Sequence, residues 1–259
     1  MDYRLKGFSV GFSTGILGGL VGLGGAEFRL PLLLKFFNFN TLEAIILNKF
    51  MSLITVSFSI VFRSQALNLS NITSNIQIII TFLSGSLIGA WFAADWATKV
   101  KHSLLNKVIA FLMTLIAIVM LLRAYIESFY LGIDGFMLIL ITVVVGFFIG
   151  IVSAILGVAG GELYIPSITL LYNTNIKLSG TLSLLISFPT MLAAFARYSK
   201  DNSFVVIRNN KSLSLWMVGG TFLGSFVGGY LLLSLLPEKL IIYILVLLLF
   251  ISAYKIWKH

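Results

Sequence analysis

Two stretches place acids behind glycines in surroundings that are otherwise apolar: GLGGAEFRLP at Gly22–Pro31 and GVAGGELYIP at Gly157–Pro166. Glu27 and Arg29 follow Gly22, Gly24 and Gly25; Glu162 follows Gly157, Gly160 and Gly161. A helix that begins at such a run offers an anion its unsatisfied N–H groups and the positive end of its dipole. Glycine lets the backbone approach the ligand without an intervening Cβ. An oxyanion leaving water needs donors of this kind. Close helix packing is the competing use of glycine in membranes, and it is the expectation for Gly11, Gly15, Gly85, Gly89, Gly220, Gly224 and Gly228.

Lys49 lies eight residues into an apolar span, beside the neutral donor Asn48. A charge at that depth is costly enough to suggest a function. Three roles fit: a fixed cation for an anion, a side chain snorkelling to the surface, or a counterion for Glu27. Ser52, Ser183 and Ser187 are candidate hydroxyl donors, although serine also bonds back to its own helix. The carboxylates of Glu27 and Glu162 would repel an anion while ionised. Their alternatives are pairing with Arg29 or Lys49, complementing a helix dipole, or carrying a coupled proton. Pro31 and Pro166 are expected near the starts of short helices at Arg29–Phe37 and Tyr164–Tyr172, where a missing N–H does no harm.

The elements that hold these residues are helices in a bilayer. Of 259 residues, 59% are hydrophobic and 10% charged, and the mean hydropathy is +1.04; soluble domains carry about 25% charged residues. Apolar runs of spanning length (roughly 20 residues) recur near 7–26, 41–62, 75–94, 103–126, 134–158, 177–197, 211–234 and 238–257. The first carries its own glycine motif and reads as mature structure rather than a cleaved signal. The polar stretch Ser199–Ser212 reads as a loop. With no cysteine and only two histidines, both in polar flanks, no metal centre, cofactor or catalytic set is expected. The net charge of +9 is expected to reflect basic residues retained at the cytoplasmic face rather than nucleic-acid binding.

A constant offset of 135 relates Gly11 to Gly146, Gly22 to Gly157, Glu27 to Glu162, Pro31 to Pro166, Ser52 to Ser187, Gly85 to Gly220 and Gly89 to Gly224. The expected fold is therefore an all-α polytopic tandem repeat, with halves 1–128 and 129–259 forming one transport domain. Each half has a Gly-rich broken or re-entrant helix followed by three transmembrane helices. Broken helices at matching places in two repeats point to a binding site. If each broken helix enters and returns on one side, twelve lysines and arginines share a face and four take the other. Eight full crossings would divide them ten to six. The first arrangement obeys the positive-inside rule better; it makes the repeat inverted and both termini cytoplasmic.

"GILGGLVGLGGAEFRLPLLL", "GIVSAILGVAGGELYIPSITLLY" and "LNKFMSLITVSFSIVFR" resemble the signatures of the sulfite exporter TauE/SafE family of membrane permeases, as does "SGTLSLLISFPTMLAAFARY" in the second half. The resemblance implies ATP-independent movement of sulfite, thiosulfate or organosulfonates across the cytoplasmic membrane. Its partners would be a small anion, the bilayer and protons as coupling ion. A transporter of another small anion, a membrane-embedded enzyme and a non-transporting scaffold are the alternatives. Direction and oligomeric state stay open.

Overall fold

The computed structural model describes residues 3–21, 25–64, 74–125, 131–174, 176–199 and 203–227, with Tyr243, Val246, Leu247, Phe250, Ala253 and Tyr254. Gly22, Gly24, Gly228, most of the last apolar run, and the side chains of Glu27, Arg63 and Glu162 lie outside the described residues. The helices are α1 (Tyr3–Val21), α2 (Ala26–Phe36), α3 (Thr41–Ser64), α4 (Ile76–Ala97), α5 (His102–Tyr125), α6 (Gly135–Leu156), α7 (Gly161–Tyr172), α8 (Ile176–Ser199), α9 (Ser203–Asn209) and α10 (Lys211–Phe226). Among the described residues, three stretches are long and apolar enough to cross a membrane: Ile76–Ala97, Gly135–Leu156 and Leu178–Tyr198. Their outer faces carry bulky apolar side chains, including Phe92, Phe136 and Phe148, as lipid contact requires.

Two expectations are corrected. The short helices begin three residues earlier than the spacing suggests, because Gly25 (φ 62°) and Gly160 (φ 82°) take the left-handed conformation and start them there. Pro31 and Pro166 thus fall inside their helices. At the sixth position each proline removes a helical N–H, so the carbonyls of Glu27 and Glu162 lose their ordinary partners. Second, the stretch read as a loop contains α9, capped where Asn210 bonds back to Val206.

The halves pack crosswise. α1 lies against α10, and α6 against α4. Both contacts are backbone to backbone at glycine. A Cβ on Gly11 would meet Met217 O at 2.2 Å, and one on Gly15 would meet Thr221 O at 2.6 Å. From the other side, Gly220 and Gly224 face Phe8 O and Phe12 O at 2.2 and 2.1 Å. The second interface repeats the first with every number shifted by 135: Gly146 on Phe82, Gly150 on Ser86, Gly85 on Val143 and Gly89 on Phe147. Small residues replace side-chain volume with close van der Waals approach, the main attraction available between helices in lipid. α3 and α8, the corresponding helices of the two halves, pack on each other inside this frame.

Candidate functional site

The site grows from the end of α6. Its last carbonyls are orphans of the helix, and they face protein. Gly157 (φ 68°) reverses the chain, with N–H bonds from Gly157 to Ala154 O (3.3 Å) and from Val158 to Ser153 O (3.1 Å). This pair is a Schellman closure, for which the left-handed residue must lack a Cβ penalty. A Cβ here would also lie 2.8 Å from Ile45 O on α3.

Side chains from α3 and α8 satisfy what remains. Lys49 Nζ donates to Ser153 O (2.6 Å), Val158 O (3.1 Å) and Ser153 Oγ (3.2 Å). Asn48 Nδ2 donates to Leu156 O at 3.1 Å, and Tyr198 donates to Ala154 O at 3.1 Å. The Ser52 hydroxyl donates to Asn48 O (2.7 Å) and lies 3.2 Å from Gly157 O. Lys49 is 0% exposed, so it does not snorkel. Its ammonium neutralises the negative end of the α6 dipole.

Asn48 also reaches the other break. Its second amide hydrogen goes to Ala26 O at 2.9 Å, so one side chain joins the start of α2 to the end of α6. The starts of α2 and α7 are both buried, and neither has a side-chain cap at its N-cap glycine. Ser187 is fully buried and its hydroxyl has no partner among the described residues, whereas Ser183 bonds back to Gly180 O at 2.8 Å. Arg29 is fully buried as well. The structure therefore brings Gly25, Asn48, Lys49, Ser52 and Gly157 to one junction of the two breaks. Gly22 and Gly24 are not described there.

The profile of the sulfite exporter TauE/SafE family matches residues 7–257. The chain belongs to that family. Comparison with curated proteins and with solved structures gives no match. Membership implies exporter-type transport across a membrane, in keeping with the apolar helices.

Several residues of this TauE/SafE chain escaped the sequence reading. Ser153 and Tyr198 hold the α6 end. Tyr164 is fully buried against Phe82, with ring centroids 5.7 Å apart and edge to face. Its hydroxyl stands beside the Ser86–Thr190 hydrogen bond (2.8 Å) without meeting bonding geometry itself. The available signal was the offset of 135, which places Tyr164 on Arg29. Arg197, at the end of α8, pairs with Asp95 on α4, which also holds Lys99 at 2.5 Å; it ties the halves together as well as marking a helix end. Among the described residues no three histidine, aspartate or glutamate side chains gather where a metal could bind.

Proposed function

We propose that the chain is a secondary transporter of small sulfur-containing anions such as sulfite, thiosulfate or organosulfonates, working in the cytoplasmic membrane. The observation that carries this reading is the pair of buried helix starts behind the left-handed Gly25 and Gly160. The first N–H groups of a helix have no intrahelical acceptor, an N-cap glycine offers them no side chain, and the helix dipole makes an anion a favoured partner. Gly25, Gly160 and Gly161 form the approach, with Ser183 and Ser187 as hydroxyls from α8. Asn48, Lys49 and Ser52 contribute by holding Gly157 and the α6 end in place beneath it.

In the same reading the two halves, 1–128 and 129–259, are inverted repeats of a single transport domain, and both termini are cytoplasmic. The crosswise glycine interfaces support the two-fold relation, which exchanges α1 with α6 and α4 with α10, and the twelve-to-four division of lysines and arginines supports its inverted sense. Glu27 and Glu162, each the second residue of its short helix, carry the coupling proton. A carboxylate and an anion compete for one helix start, so substrate enters as the acid takes up a proton.

Purified protein in liposomes tests the reading. Labelled sulfite or thiosulfate should cross the bilayer without ATP and respond to a pH gradient. Absence of flux for every sulfur oxyanion and carboxylate tried would leave the scaffold reading in its place.

A further inference from the structure

The end of α6 collects oxygens around a single positive centre. Lys49 Nζ has Ser153 O at 2.6 Å, Val158 O at 3.1 Å and Ser153 Oγ at 3.2 Å, and all three residues are 0% exposed. An ammonium has three hydrogens to donate, so each is spent. The oxygens are used as fully. Ser153 O also accepts from the Val158 N–H at 3.1 Å, and Val158 O from the Ser153 hydroxyl at 2.7 Å. Next in sequence, Asn48 gives its amide hydrogens to Ala26 O and Leu156 O and keeps Oδ1 without a donor among the described residues.

The two carbonyls differ in origin. Ser153 O belongs to the last turn of α6, where the helix dipole is negative. Val158 O lies beyond Leu156, in the unwound stretch before α7 begins at Gly161. A half-helix end and the unwound carbonyls after it are what a broken membrane helix offers to a coupling cation. Here the cation is covalently attached and arrives on α3. The offset of 135 sets Leu184 opposite Lys49. That side chain is apolar and buried, so α8 supplies no matching ammonium.

We infer that Lys49 fills a monovalent-cation site as a tethered ion. This rests on the transport reading above and deepens it. The three oxygens around Nζ are neutral, which suits a single charge; divalent ions usually take carboxylates. A cation fixed to α3 does not travel with the substrate, so neither sodium nor potassium is the coupling ion, and the proton is left in that role. Shortening Lys49 to alanine removes the ammonium and most of its stem from among these oxygens. A small free cation then takes the place.

The test is melting of the purified protein at equal ionic strength in N-methylglucamine, sodium, ammonium or methylammonium chloride. Flux of labelled sulfite in liposomes is measured alongside, with and without sodium. Wild type should melt alike in all four salts, and its flux should not depend on sodium. Lys49→Ala should melt roughly 5 °C below wild type in N-methylglucamine chloride. At least one small cation should restore roughly half of that loss or more, and saturably. Lys49→Met, whose side chain keeps the space filled, should be lowered without being restored. Failure of every small cation to restore Lys49→Ala, equal restoration of Lys49→Met, or sodium-dependent wild-type flux would overturn the tethered ion. Should Lys49→Ala not fold in N-methylglucamine chloride, yield of folded protein from purification in each salt replaces melting, and no recovery in any of them counts against the site. Restoration of Lys49→Ala beside a wild type that moves no anion would leave the cation site standing and end the transport reading.

Discussion

Gly11→Ala is expected to force α1 away from α10. The new Cβ would stand 2.2 Å from Met217 O and 2.9 Å from Met217 C and Cα. A carbon and an oxygen in contact need about 1 Å more than that, and every obstructing atom is backbone, so no rotamer change relieves the clash. Overpacking a tight interface costs about 1–3 kcal/mol, and a backbone clash belongs at the upper end. Alanine recovers about 1 kcal/mol of helix propensity over glycine. The net expectation is a loss of about 2 kcal/mol, by difference of those two contributions. Gly219→Ala is the control: nothing lies within 4 Å of its Cβ, so it should gain stability by propensity alone. Thermal unfolding of the two variants in the same detergent measures the difference. Because Gly146 occupies the corresponding place on α6, facing Phe82 O at 2.6 Å, Gly146→Ala should resemble Gly11→Ala. Equal stability of Gly11→Ala and Gly219→Ala would refute the argument that glycine is required for backbone approach.

Lys49→Met should lower thermal stability by about 2 kcal/mol, since lost charge-assisted bonds outweigh relief of burying an ammonium, while anion-induced stabilisation persists; its abolition would return Lys49 to the role of substrate cation. Asn48→Leu leaves Leu156 O without its side-chain donor and should cost about 1–3 kcal/mol, read by denaturation; wild-type stability would remove Asn48 as the link between breaks. Glu27→Gln and Glu162→Gln should keep anion binding and lose the response of net flux to a pH gradient, with anion exchange surviving; wild-type pH dependence in the double variant would end the proton-coupling proposal. In this cysteine-free chain, Lys99→Cys and Lys211→Cys should both label from the cytoplasmic side, and opposite labelling would reject the inverted topology.

Local pattern alone determined a good deal. Glycines spaced to clear one helix face had to sit where another backbone comes close, and Gly11, Gly15, Gly85, Gly89, Gly220 and Gly224 do. Glycine runs ahead of prolines ended one helix and started the next, because left-handed backbone is inexpensive only there. The offset of 135 paired the elements in advance. Tertiary structure decided what a linear pattern does not encode. That α1 would choose α10 and not its sequence neighbours depends on which faces are complementary in space. Lys49 had three roles open to it because the partners it has, Ser153 O and Val158 O, are backbone groups more than a hundred residues away, and backbone carbonyls leave no mark in a sequence. Helix starts three residues before the expected ones had the same origin: Gly25 and Gly160 turn left-handed at the break, and composition does not distinguish them from the adjacent Gly24 and Gly161.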